Sequence, residues 1–152
     1  MKIPESVIGF LENQGFVIVC TIDKNGFAHS ACKGLIEIKS NGKAYILDVY
    51  HAQTYDNLRR NPRISVTAVN EHKFSGYCLK GKARIIPQGK ISPDMLKAWE
   101  NRITSRLTQR LLKNIREDKG HKAHPEMLLP KPKYMIEIDV KEIVDLTPQH
   151  LK

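Results

Sequence analysis

The chain has 152 residues, 41% of them hydrophobic, enough for one domain (1–152) whose single core needs no disulfide support. Its formal net charge is +9, but the 25 Lys and Arg residues are spread along the whole length, so an anionic small ligand explains the charge as well as a nucleic acid does. The start, MKIPESVIGF, lacks a basic segment followed by a long apolar stretch, and no apolar run reaches bilayer length, so the expectation is a soluble cytoplasmic protein.

Pro4 to Asn13 sets Val7, Ile8 and Leu11 at helical spacing, with Pro4 suited to the first turn and Gly15 to the stop. Phe16 to Ile22 is a near-continuous apolar run that reads as a first strand. The Asp23-Lys24-Asn25-Gly26 turn leads from it into a second strand, Phe27 to Ile38, with Asn-Gly as the hairpin signal. Ser40-Asn41-Gly42-Lys43 repeats that turn chemistry before a third strand through Tyr45, Ile46, Leu47 and Val49. A short helix follows, for which Thr54 is the expected N-cap and Pro62 the stop. Such a strand-to-helix junction leaves backbone N–H groups unpaired, so it is either an ordinary capped connection or an anion site beside Gln53 and Thr54.

Arg63 to Val69 alternates as a fourth strand, and Tyr77 to Ile86 reads as a fifth with Gly81 as a bulge or tight bend. From Ser92-Pro93 the pattern turns helical to about residue 118, with Met95, Trp99, Ile103, Leu107, Leu111 and Ile115 on one face. Arg102, Arg106, Arg110 and Lys113 form a basic stripe on the other, expected to face solvent. His121 to Lys133 reads as an ordered loop around Met127, Leu128 and Leu129. Its two histidines lack the further ligands zinc requires, so no metal site is expected. Tyr134 to Leu146 alternates as a sixth strand that would seal a small barrel. Cys20, Cys32 and Cys78 are an odd number without CxxC spacing and are expected as buried reduced thiols.

These pieces in this order resemble the flavin-binding split-barrel families, in particular the small FMN-binding relatives of pyridoxamine 5'-phosphate oxidase. The resemblance is carried by VIVCTIDKNGFAHSACKG, AYILDVYHAQTYDNLRRNPRISV, GYCLKGKARII and YMIEIDVKEIVDLTP. It implies a mainly β fold with peripheral helices, a six-stranded antiparallel split barrel, working as a homodimer with FMN near the subunit interface and NAD(P)H or another compound as electron donor. It puts the isoalloxazine ring against Ser30, Ala31, Cys32 and Lys33 of one strand and Asp48, Val49 and Tyr50 of the next, and the phosphate at Gln53 and Thr54.

Two departures from the family pattern stand out. Where many relatives carry Ser and Lys for the phosphate, this chain has Ala52, Gln53 and Thr54, so the cation would come from Lys33, Arg59, Arg60 or a second subunit. The arginine and histidine with which true pyridoxamine 5'-phosphate oxidases hold their substrate are not recognisable, so vitamin B6 oxidation is not expected. The implied role is that of an FMN flavoprotein, an oxidoreductase or electron carrier whose cofactor carries the chemistry; no catalytic side chain is assigned. Cys32 would lie close to the ring.

Other readings are a deazaflavin- or haem-binding barrel, with His29, His51 and His72 as axial candidates, and a structural dimer without cofactor. A nucleic-acid-binding barrel is disfavoured because Phe16, Tyr45, Tyr77 and Trp99 sit where a core would use them.

Overall fold

The computed structural model describes residues 1–116 and 131–152. Seven strands make one antiparallel sheet: β1 (Val17–Ile22), β2 (Ala28–Lys33), β3 (Leu35–Lys39), β4 (Lys43–Asp48), β5 (Arg63–Asn70), β6 (Ser75–Pro87) and β7 (Tyr134–Asp145). Their spatial order is β2-β1-β5-β6-β7-β4-β3. Helix α1 (Glu5–Glu12) precedes β1, α2 (Gln53–Arg60) joins β4 to β5, and α3 (Pro93–Arg116) follows β6.

The sequence predicts six strands; the seventh appears because the segment from Phe27 to Ile38 is two strands divided at Gly34. β2 pairs with β1, Lys33 opposite Val17, whereas β3 pairs with β4, Ile38 opposite Ala44. These are the two edges of the sheet, so the chain passes from one edge to the other through a single residue. Two backbone steps reach only about 8 Å, and the sheet must therefore curl until its edges meet there, giving a half-barrel. The apolar alternation runs on through Gly34 without a turn signal, which is why the sequence hides the break.

The alternation sets the core. Val17, Val19, Ile64, Val66, Leu79, Ile136 and Ile138 project inward, joined by Val7, Ile8 and Leu11 of α1 and Leu58 of α2. Each such side chain contributes about 1.5–3 kcal/mol on burial. The predicted irregularity at Gly81 is present, but the extra residue is on the partner strand. Lys80 lies opposite Glu142 and Gly81 opposite Val140, which leaves Lys141 bulged out. A Cβ at Gly81 would run into the Asp139 carbonyl and crowd the Val140 Cα, so the bulge requires glycine.

A second apolar layer lies on the outer side of the sheet. Met95, Leu96 and Trp99 of α3 pack with Ile91 on Ile36, Tyr45, Leu47, Ile86 and Met135, so this helix is seated on its own barrel. The Ser92 hydroxyl accepts from the Met95 N–H at 3.3 Å, the predicted N-cap. Arg102, expected in solvent, is instead half-buried and donates to the Glu12 carbonyl at 2.9 Å and the Ile36 carbonyl at 3.4 Å. It ties α3 to the end of α1 and to β3.

Two further expectations are corrected. Ala52, not Thr54, is the N-cap of α2, with no side-chain cap bond; Thr54 is the second helical residue, within the first turn, and is buried. Asn61 ends the helix in an extended conformation, as the residue before Pro62 must. The cysteines are free but not buried: Cys32 is exposed and Cys20 and Cys78 half-buried, because each falls at an outward position of its strand. The expectations for residues 117–130, including His121, His124 and the Met127–Leu129 knot, lie outside the described residues. So do those for the side chains of Arg106, Leu107, Arg110, Leu111, Lys113 and Ile115. Among the described residues no helix is long and apolar enough to cross a membrane.

Candidate functional site

The closing of the half-barrel brings the end of β2 to the end of β4. There the Lys33 ammonium lies 2.6 Å from Asp48 Oδ2, with side-chain exposures of 14% and 4%. The Tyr134 hydroxyl donates to the same carboxylate oxygen at 2.7 Å. The Tyr50 N–H approaches Oδ1 at 3.4 Å, and the Lys133 N–H donates to the Asp48 carbonyl at 2.8 Å. A buried carboxylate is costly unless it is paired and hydrogen-bonded, and here it is both. Burial, and next the hydrogen bond to Asp48, push the Tyr134 hydroxyl far above the usual tyrosine range, so it stays a donor at any physiological pH.

Sequence reasoning overlooked Tyr134. Its signal is positional: it alternates with Ile136 and Ile138 on the inward face of β7, where a phenol must find an acceptor. Behind it, His51 stacks on Tyr55 with centroids 4.3 Å apart, and Tyr55 meets the Tyr134 ring edge-on at 5.0 Å. His51 is thus engaged with rings, His29 is half-buried on β2, and His72 lies exposed in the β5–β6 turn, 3.7 Å from Glu71.

Cys32, Lys33, Asp48, Val49 and Tyr50 together line a cavity of about 230 Å³ at this meeting of strands. Its opposite wall comes from α3, through Trp99, Arg102 and Ile103. Ser30 and Ala31 do not line it. Along β2, Ser30 shares the exposed face with Cys32 and Ala31 the half-buried face with Lys33, so four consecutive positions are divided between two faces. The Trp99 and Arg102 wall was not foreseen, because helical spacing alone assigns Trp99 to a core stripe without saying what the stripe borders.

Gln53 and Thr54 lie on a different surface. Thr54 is 3% exposed and turned into the fold, whereas exposed Gln53 borders an open polar pocket with Lys24, Asp56, Arg59 and Arg60. Among the described residues, no group of His, Cys, Asp and Glu is arranged to hold a metal.

Comparison with known proteins fits this architecture. The family model described as pyridoxamine 5'-phosphate oxidase matches residues 3–145. Among solved structures, HupZ of Group A Streptococcus superposes with a TM-score of 0.70 at 19% identity, covering 95% of this chain and 94% of that one. An FMN-binding protein of Syntrophomonas wolfei gives a TM-score of 0.64 at 12% identity, covering 94% and 88%. A protein of Lactobacillus delbrueckii, described as a putative pyridoxamine 5'-phosphate oxidase, gives 0.62 at 15% identity, covering 94% and 93%. A search of curated proteins found no match. At these identities the solved structures speak for the fold, and the family match, running from Ile3 to Asp145, places the chain in the pyridoxamine 5'-phosphate oxidase family.

Proposed function

We propose that the protein is an FMN-binding flavoprotein, an oxidoreductase or electron carrier, that works as a homodimer with the flavin ring in the Lys33–Asp48 cleft. The observation that carries this reading is convergence. Cys32 and Lys33 at the end of β2, and Asp48 at the end of β4 with Val49 and Tyr50 just after it, line one cavity in which the Lys33 ammonium is already fixed by a buried carboxylate. The cavity suits part of a flavin: at about 230 Å³ it is smaller than the roughly 300–1,000 Å³ typical of a site that encloses a whole ligand of this size. A second subunit would supply the remaining wall. The outward faces of β1 and β2 beside it, with Ile18 and Cys20 on one and Cys32 on the other, are small and apolar enough to receive one.

Bound FMN would supply hydride and electron transfer. The protein's part is to orient and tune. With a flavin ring in this cleft, Lys33, held at 2.6 Å by Asp48, would offer it a fixed cation, and the Tyr134 hydroxyl keeps Asp48 in place. Trp99 and Ile103 shield the cavity from water on the α3 side. The residues with which the family's namesake holds its substrate are not recognisable in this chain, which separates it from vitamin B6 oxidation.

The test is the absorbance spectrum of freshly purified protein, with the released chromophore identified by mass after denaturation and the assembly state measured by light scattering. A flavin spectrum, released FMN and a dimer mass support the proposal. A single band characteristic of a deazaflavin or haem redirects it to those cofactors, and colourless protein that also fails to bind added FMN refutes it.

A further inference from the structure

We propose that the pocket on the outward face of β1, β5 and β6 binds an amphipathic organic acid, its anionic head held between Arg63 and Lys82 and its apolar body lying on Cys20 and Ile22. This pocket shares no residue with the Lys33–Asp48 cleft, so it stands whether or not that cleft holds a flavin.

The pairing of charges points to an anion. Lys80, Lys82 and Arg84 take alternate, exposed positions along β6. The outer two are matched: Lys80 lies 3.2 Å from Glu142 and Arg84 lies 3.0 Å from Glu137. Lys82 stands opposite Asp139 in register, yet that carboxylate is taken by Lys43 and Lys141. On its other side Lys82 stands directly opposite Arg63 of β5, which is also exposed. Among the described residues, no carboxylate pairs with either side chain. Like charges that face each other across a strand pair cost stability, and an anion seated between them turns that repulsion into two attractions.

The rest of the pocket describes what carries the anion. β1 brings Cys20 opposite Ser65, with Ile22 at the next outward position, and both side chains are half-buried. With the two cations they line a cavity of about 420 Å³, within the roughly 300–1,000 Å³ typical of small-ligand sites. The bulged strand β7 adds Lys141 and Glu142 to the lining. Of the four cations there, Lys80 and Lys141 are already paired, which leaves Arg63 and Lys82 for one head group. The guanidinium fork of Arg63 suits a carboxylate in particular. An inorganic anion would leave the apolar floor in water, so the fitting occupant has both parts, as a fatty or aromatic acid does. Cys20 also belongs to the face offered above to a second subunit, but the cations lie on β5 and β6, beyond that face.

The experiment titrates the full-length protein with the dye anilinonaphthalene sulfonate, whose fluorescence rises on binding, and displaces it with decanoate below its micelle concentration. Decanoate should displace the dye about 10–100-fold more effectively than decanol, the range of one charge-assisted contact or slightly more. Inorganic phosphate, which has no apolar body, should not displace it. Arg63→Gln and Lys82→Gln, both at exposed positions, should each weaken decanoate roughly tenfold and leave decanol unchanged. Ile22→Ser should weaken decanoate and decanol alike. Without ligand, Lys82→Gln should melt no lower than the native chain, because the variant relieves a repulsion; a lower melting temperature would show that Lys82 has a structural partner and would overturn the pairing argument. Calorimetry of decanoate in saturating FMN should return the same affinity, and its loss there would move the acid to the cleft and overturn the pocket. Absence of dye and decanoate binding, equal displacement by decanoate and decanol, or a decanoate affinity that neither Gln variant moves also overturns it.

Discussion

Replacing Asp48 by Asn removes one charge from the centre of the site without changing its shape, and so measures what the buried network is worth. In the native protein Asp48, 4% exposed, accepts from Lys33 at 2.6 Å and from Tyr134 at 2.7 Å. An asparagine can still accept from the Tyr134 hydroxyl, so that bond survives in weaker form. The Lys33 ammonium loses its counter-charge, and with its side chain only 14% exposed it cannot regain full hydration. Breaking a buried pair from one side costs about 3–5 kcal/mol, and Lys33's remaining access to water places the expected loss near the lower end, about 3 kcal/mol. Lys33→Met is expected to cost a similar amount, since it strands the carboxylate instead. In the double variant neither charge is left uncompensated, so the summed single effects should exceed the double by about 1–3 kcal/mol. Urea unfolding of the four proteins, followed by tryptophan fluorescence of Trp99 and by circular dichroism, gives the cycle. Additivity within about 0.5 kcal/mol would refute the claim that these two groups act as a pair.

Three other substitutions probe separate features. Tyr134→Phe should flatten the alkaline side of the stability curve. The folded-state shift is upward, so below the ordinary tyrosine range the group contributes fully. As pH rises above about 10 the unfolded chain ionises and the folded one does not, and native stability falls by up to about 1.4 kcal/mol per pH unit. Chemical denaturation at pH 9 to 11 should show that slope in the native chain and lose it in the variant. Gly81→Ala drives a Cβ into the Asp139 carbonyl and should cost about 1–3 kcal/mol, read as a lower melting temperature; an unchanged value would mean that the bulge at Lys141 absorbs the methyl. Arg102→Met removes donors to Glu12 and Ile36 and should make α3 cleave faster in limited proteolysis while the sheet stays protected; equal cleavage would show that Met95 and Trp99 hold the helix without it.

Much of the fold is legible in the sequence because its signals are local. Asn25-Gly26 and Asn41-Gly42 announce the two hairpins, with Gly26 at φ +85° and Gly42 at φ +95° as those turns demand, and the 3.6-residue period from Ser92 announces α3. What is not legible is long-range. That Phe27 to Ile38 divides at Gly34 depends on which partner each half finds, β1 or β4, and local pattern carries no record of that choice. The cap of α2 was misplaced by two residues because a hydroxyl at Thr54 is attractive in isolation, whereas burial against the fold claims it. At the site, Cys32, Lys33, Asp48, Val49 and Tyr50 border one cavity while Ser30 and Ala31 do not; Tyr134, which bonds Asp48, lies 86 residues from it, and the α3 wall arrives from a segment with an unrelated periodicity.

The one-residue junction at Gly34 also dictates how a growing chain can assemble. Two hairpins, β1–β2 and β3–β4, can form as soon as they leave the ribosome, yet their far strands are destined for opposite edges, and the middle of the sheet does not exist until β5, β6 and β7 arrive. The keystone is β7, which pairs with both β4 and β6 and is synthesised after the other six strands described. Until then β4 carries an open edge, and the cleft at Lys33 and Asp48 lacks Tyr134. A premature stop after β6 and before Tyr134 therefore leaves a β2-β1-β5-β6 block and a β3–β4 hairpin with no strand between them, a species prone to edge-to-edge association and without a finished site.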